Sequence, residues 1–71
     1  MNLTVNGAVT VTPDGVTVTE LLCEQKVKLP DMVSVELNGE ILERQSFAST
    51  VLEAGDVVEV LYFMGGGRGP Q

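Results

Sequence analysis

Apolar and polar residues alternate in several short segments of the chain, which is typical of half-buried β-strands. Leu3–Val5 and Val9–Val11 both read apolar, polar, apolar, and Asn6 and Gly7 separate them. An Asn-Gly pair favours the positive φ angles of a two-residue hairpin turn. The pattern therefore predicts an antiparallel hairpin at the start of the chain, which ends at a turn over Pro13–Gly15.

The apolar spacing then changes to the period of a helix. Thr17, followed three residues later by Glu20, matches the capping-box pattern of a helix N-terminus. The apolar stripe that follows consists of Val18, Leu21 and Leu22. Pro30 disfavours a helical conformation at the residue before it. We therefore expect one main helix that begins after Thr17 and ends near residues 26–28.

Three more segments predict strands in the second half of the chain. Val33–Leu37 alternates apolar and polar residues and ends at a second Asn-Gly pair, after which Glu40–Leu42 forms a short return strand. Residues 45–50, small and polar around Phe47, predict a short turn or a single helical turn. A turn over 54–56 precedes the last strand, Val57–Phe63. Several strands and one helix in so short a chain predict an α+β domain with the helix on one sheet face.

The last predicted strand divides its side chains between two faces. The face assigned to the helix carries Val58, Val60 and Tyr62. Glu59 marks the opposite face as the solvated one, because an unpaired carboxylate is rarely buried. Leu61 and Phe63 share that face and lead, through Met64, into the C-terminal glycines, so they predict a docking surface for a partner. The alternative is that the strand bends near Val60 and that Phe63 returns to the core.

Three consecutive glycines, Gly65–Gly67, precede the last four residues, Arg68–Gln71. Glycine has no Cβ, so such a segment can lie extended against the backbone of another protein. The alternative is a disordered terminus without a function. We expect a domain over residues 1–64 and a flexible tail over residues 65–71.

Composition narrows the class of protein. A chain of 71 residues allows one domain with a small core. It has no apolar segment of ~20 residues that would span a bilayer, and its single cysteine cannot form an internal disulfide, which predicts a cytoplasmic protein. The net charge of -6 argues against nucleic acid and anionic membranes as partners and favours a basic protein surface.

The chain has few side chains that could perform catalysis. It lacks histidine, the commonest general base and metal ligand. One cysteine without histidine excludes the usual zinc sites. Cys23, on the helix face away from the apolar stripe, is the one candidate nucleophile. We expect no catalytic residue, no metal site and no bound cofactor.

In their order and spacing, these segments resemble the ThiS-like small sulfur carriers, which are related to MoaD and ubiquitin and have the β-grasp fold. The resemblance covers nearly all of residues 1–67. It is carried by Val5–Gly7, Asp14–Leu22, Val35–Ile41, Ala48–Leu52, Ala54–Asp56 and Phe63–Gly67. It implies a ubiquitin-like, mixed sheet of four to five strands with the main helix packed on one face and a flexible glycine-rich tail.

The resemblance also implies a mechanism and partners. In this family an adenylyltransferase of the ubiquitin-activating type uses ATP to adenylate the terminal glycine. Sulfur then replaces AMP to give a thiocarboxylate, which in ThiS proper supplies a thiazole synthase in thiamine biosynthesis. The residues assigned to these steps are Gly66 and Gly67 for adenylation and the thiocarboxylate, Gly65 for tail flexibility, and Leu61, Phe63 and Met64 for docking.

Residues 68–71 depart from the family pattern, in which the chain ends at the glycines. While they are present, the Gly67 carbonyl belongs to an amide and cannot be adenylated as a free acid. A protease that trims the chain after Gly67 is the favoured explanation. The others are an artefactual extension and a role for Gln71 as the acceptor, which bulky Arg68 and rigid Pro70 disfavour.

Other functions fit the same pattern. Within the family, the alternatives are a MoaD-like carrier for molybdopterin or tungstopterin and a protease-processed carrier for cysteine or homocysteine synthesis. An alternative of another class is a non-catalytic, ubiquitin-like interaction module with an inert tail. Removal of Gly66 and Gly67 separates the classes, because a carrier loses sulfur acceptance whereas a module keeps binding its partner.

Overall fold

The computed structural model of the chain describes residues 1–27 and 32–62. Within them, a five-stranded mixed sheet carries one α-helix on one face. The elements are β1 (Asn2–Val5), β2 (Ala8–Val11), α1 (Val18–Glu24), β3 (Val33–Leu37), β4 (Glu40–Leu42), a 3₁₀ turn (Arg44–Ser46) and β5 (Val57–Tyr62). The strand order across the sheet is β2-β1-β5-β3-β4. The predicted α+β, β-grasp architecture is confirmed, with five strands.

Strand β5 lies at the centre of the sheet and joins two hairpins. It runs parallel to β1, where Val58 lies opposite Val5, and antiparallel to β3, where Val60 lies opposite Val35. The antiparallel pairs β1–β2 and β3–β4 are the two hairpins predicted from the Asn-Gly turns. Because β1 and β3 both pair with β5, the sheet is continuous only through the last strand.

Both hairpins close with two consecutive residues of positive φ. Asn6 and Gly7 have φ angles of 50° and 82°, and Asn38 and Gly39 have φ angles of 52° and 88°. This left-handed pair is the type I′ turn, whose twist matches that of antiparallel strands. The turn residues therefore fix the register of each hairpin.

The start of α1 has the predicted capping box. The Thr17 hydroxyl oxygen accepts a hydrogen bond from the Glu20 N–H at 3.2 Å. The Glu20 carboxylate in turn accepts one from the Thr17 N–H at 2.9 Å. Two N–H groups that the first turn leaves without helical partners are satisfied in this way.

The end of α1 differs from the prediction. The helix stops at Glu24 rather than near residues 26–28. Lys26 takes a left-handed conformation, with φ of 57°. The N–H groups of Lys26 and Val27 donate, each at 3.1 Å, to the carbonyls of Cys23 and Leu22. These two bonds form a Schellman motif, which ends the helix before Pro30 is reached.

The core lies between α1 and one face of the sheet. It consists of Leu3, Val5, Val16, Val18, Leu21, Leu22, Val33, Val35, Phe47, Leu52, Val58 and Val60. In β2, Thr10 lies opposite Leu3 and therefore shares its face, whereas Val9 and Val11 are 73% and 76% exposed on the other side. We call that other side, which no described element covers, the open face of the sheet.

Candidate functional site

The candidate site begins at the C-terminal end of β5, the strand that leads to the glycines. Val58 and Val60 are buried against the core, as predicted. Leu61 lies opposite Ser34 of β3 and is 44% exposed on the open face. β5 stays in register with β3 as far as Tyr62, so the strand does not bend at Val60. An exposed leucine thus lies one residue before the last described residue of β5.

Tyr62 lies on the sheet face assigned to the helix, as predicted, but its side chain is exposed. It lies opposite the buried Val33 and has the same parity as Val58 and Val60, yet it is 52% exposed. Alternation decides on which face of a sheet a side chain lies, but burial also needs an element that covers it. The seven residues of α1 span only about 10 Å, less than the predicted helix would have covered.

The remaining predicted site residues, Phe63, Met64 and Gly65–Gly67, lie outside the described residues. Docking through Phe63 and Met64 and the roles of the glycines therefore stay predictions. The same holds for the boundary between domain and tail at residues 64 and 65.

Asn6, directly after β1, forms two hydrogen bonds with β5. Its N–H donates to the Val58 carbonyl at 2.9 Å, which continues the parallel ladder one step past β1. The next donor on β5 is the Val60 N–H, but the main chain turns away at Gly7. The Asn6 side-chain oxygen takes the place of the main-chain acceptor and receives the Val60 N–H at 2.8 Å. The turn residue thus also completes the pairing of the central strand.

Asn38 does the same on the other side of β5. Its N–H donates to the Val57 carbonyl at 2.7 Å, and its side-chain oxygen accepts from the Val57 N–H at 2.9 Å. Its side-chain amide also donates to Asp56 at 3.1 Å. The left-handed preference of both asparagines predicts their turns. Their contacts with β5 follow from the strand order, and no local pattern in the sequence indicates them.

Cys23 is a free, exposed thiol on α1, on the helix side of the domain. Two shallow grooves meet beside it, one lined mainly by apolar side chains and one bordered by Asp14, Glu20 and Glu24. None of the lining residues belongs to β5. The thiol is therefore separate from the strand that leads to the glycines.

Residues 1–27 and 32–62 contain no group of three Cys, Asp or Glu side chains placed to hold a metal ion. Over the same ranges, no helix is both long and apolar enough to cross a membrane. The features that distinguish the site are a firmly anchored central strand and an exposed apolar side chain near its end.

Comparisons with known proteins agree with this geometry. The model of the ThiS family matches residues 2–67. The crystal structure of a thiamine biosynthesis protein (ThiS) from Geobacter metallireducens is 54% identical, with a TM-score of 0.84, over 94% of this chain and 100% of that one. An NMR solution structure of a thiamine biosynthesis protein from the same organism is 51% identical, with a TM-score of 0.78, over 100% of this chain and 94% of that one.

A further similarity is to part of a much longer protein. A protein named thiazole synthase from Magnetococcus marinus is 39% identical over 41 residues, which are 58% of this chain. The matched region makes up 13% of the length of that protein.

Proposed function

Because the chain belongs to the ThiS family, we propose that it is a sulfur carrier of thiamine biosynthesis that bears its cargo on Gly67. Proteins of this family are small carriers rather than catalysts, in keeping with the absence of histidine from the sequence. The observation that carries the proposal is the family match, which runs through the whole fold and stops at Gly67.

The chemistry needs only a free carboxylate at Gly67. A carboxylate oxygen attacks the α-phosphorus of ATP, pyrophosphate leaves, and an acyl adenylate results. A sulfur nucleophile at the oxidation level of sulfide then attacks the acyl carbon, AMP leaves, and a thiocarboxylate remains. A carboxylate is too poor an electrophile to react without this activation, which a separate adenylyltransferase supplies with its own ATP.

The fold supports a C-terminal segment that another protein can bind. The side chains of Val58 and Val60 are buried in the core, and two asparagine side chains hydrogen-bond to β5. The domain therefore holds in place the strand that precedes the tail. Gly67 lies five positions after Tyr62, and five residues span at most about 18 Å. The activating enzyme must therefore bind the end of β5 closely if Gly67 is to reach its ATP.

A thiazole synthase is the proposed sulfur acceptor. The named thiazole synthase from Magnetococcus marinus contains a segment similar to this chain, so a domain of this type shares a polypeptide with a protein of that name. The Geobacter metallireducens relative, known from a crystal and a solution structure, is named for thiamine biosynthesis. These names favour the thiamine pathway over a pterin, cysteine or homocysteine pathway.

Residues 68–71 must be removed before Gly67 can be adenylated. The family match ends before them, at Gly67. We propose that a protease trims the chain after Gly67. Trimming removes Arg68 and changes the net charge from -6 to -7.

The experiment that tests the proposal is intact-mass analysis of the protein isolated from its native cells. A species that ends at Gly67 with one oxygen replaced by sulfur is expected. A chain that lacks Gly66 and Gly67 serves as the control and should never carry sulfur. Full-length protein alone, from cells that are making thiamine, would refute the carrier and favour the interaction module.

A further inference from the structure

Two carboxylates face each other at the middle of the open face. Glu36 of β3 lies directly opposite Glu59 of β5. Directly opposed residues in an antiparallel pair have Cβ atoms about 4.5–5.5 Å apart, and like charges at that spacing destabilise the sheet. The fold thus places a repulsive pair across β3 and the central strand β5, where Glu59 lies two residues before Leu61.

Nothing in the described part of the chain neutralises this pair. Neither carboxylate makes a hydrogen bond or ion pair within residues 1–27 and 32–62. The basic side chains of those ranges are Lys26, which follows α1, and Arg44, which follows β4. The Arg44 guanidinium donates to the Val33 carbonyl and lies over the Phe47 ring. Within the described residues, the pair is left without a counter-charge.

Apolar side chains surround the carboxylates. Val57 and Leu61 flank Glu59 along β5, and Ile41 lies opposite Glu36 on β4. These three residues are 42%, 44% and 73% exposed. An exposed aliphatic rim around a charged centre can exclude water from an ion pair formed there, and this strengthens the pair.

We propose that Glu36 and Glu59, within the rim of Val57, Leu61 and Ile41, form the docking surface for the adenylyltransferase, which presents an arginine to the two carboxylates. The inference rests on the proposed function, since it names the partner that acts on Gly67. A guanidinium group has five N–H donors in a planar fork and can bond both carboxylates at once.

Charge complementarity favours this partner. An enzyme that binds the phosphates of ATP beside a carboxylate needs cationic groups around that site, and Gly67 can lie no more than about 18 Å from Tyr62. The body of the carrier must therefore rest on the enzyme near its cationic site. The open face, with two unpaired carboxylates next to the end of β5, is complementary to such a surface.

The test compares charge-neutral variants of the chain ending at Gly67, with the adenylyltransferase of the same organism and ATP–pyrophosphate exchange as the assay. Glu36→Gln and Glu59→Gln should each raise the KM for the carrier about tenfold and leave kcat unchanged. Each should also raise the midpoint of thermal unfolding by about 1–5 °C, because the repulsion is relieved. Greater stability with weaker binding is a combination that damage to the fold cannot produce.

Glu40→Gln is the matched control. Glu40 is an exposed glutamate of the same sheet, but it lies opposite Leu37 and so belongs to the other face. Its substitution should leave KM unchanged. Glu59→Lys should raise KM most of all, since it repels an arginine, while its new pairing with Glu36 keeps the sheet stable.

The outcomes separate the inference from the proposed function. If the wild-type chain is adenylated and the KM values of Glu36→Gln and Glu59→Gln match that of Glu40→Gln, the docking surface is refuted and the carrier function stands. A fall in kcat at unchanged KM, or an effect confined to self-association of the carrier, also refutes the docking surface. If the wild-type chain ending at Gly67 is never adenylated, both proposals fail.

Discussion

Replacement of Asn6 by alanine should destabilise the domain by about 1 kcal/mol more than the same replacement of Asn38. The two asparagines occupy equivalent positions in type I′ turns, with φ angles of 50° and 52°, and each is followed by a glycine. Each side-chain oxygen accepts an N–H of β5. The two sites differ in the exposure of the residue whose N–H would lose its acceptor. Val60, which donates to Asn6, is 6% exposed, whereas Val57, which donates to Asn38, is 42% exposed.

The magnitude follows from two terms. An alanine in the left-handed region costs about 1–2 kcal/mol, and this term is the same at both sites. The loss of Asn6 also leaves the Val60 N–H without its acceptor in a partly buried position, at a cost of about 1–3 kcal/mol. At Asn38 the side-chain bonds to Val57 and Asp56 are both exposed and water can replace them, so about 0.5–1 kcal/mol is lost there. We expect a total of about 3 kcal/mol for Asn6→Ala and about 2 kcal/mol for Asn38→Ala.

Urea unfolding followed by far-ultraviolet circular dichroism measures both values, and m-values shared with the wild type would show that the denatured states are comparable. For a domain of this size, each 1 kcal/mol corresponds to about 4–8 °C in Tm. Equal losses at the two sites, or a loss below about 1 kcal/mol for Asn6→Ala, would refute the argument that the Asn6 side chain completes the pairing of β5.

Three further predictions concern the faces of the sheet and the helix. Leu61→Asn should change the free energy of unfolding by less than about 1 kcal/mol. Val58→Asn, on the core side of the same strand, should cost about 3 kcal/mol or more. A large shift in thermal unfolding for Leu61→Asn would place that side chain in the core. Thr17→Ala should cost about 1 kcal/mol in urea unfolding and Thr17→Ser little, because serine keeps the capping oxygen; equal losses would remove the capping explanation. Phe47→Ala should cost about 3–5 kcal/mol, since the ring is 7% exposed. A loss near zero would show that the Phe47 ring adds nothing to the core.

Local signals in the sequence were sufficient for most of the fold. The Asn6-Gly7 turn and the Thr17–Glu20 capping box are read from residues a few positions apart, and the structure has both where they were predicted. The end of α1 was not readable in this way. Lys26 takes the left-handed conformation that glycine normally provides at a helix end, and its residue type gives no sign of it.

Features that depend on strand order were beyond local patterns. The hydrogen bond from Val60 to Asn6 joins residues 54 positions apart. The opposition of Glu36 and Glu59 requires the β3–β5 register, and the exposure of Tyr62 requires knowledge of where α1 stops. The sequence located the candidate site at the end of β5, but only the register brings the charged part of the open face next to it.

The central place of β5 also governs when the domain can form. The strand is synthesised after every other element that the structure describes, yet it is the one that joins the β1–β2 hairpin to the β3–β4 hairpin. An isolated hairpin is marginally stable at best in water, and pairing of the first strand with the last has a high contact order, which slows folding. A nascent chain that lacks Val57–Tyr62 thus has two hairpins that no strand joins into one sheet. The glycines that follow β5 therefore become available only on a chain that is able to fold.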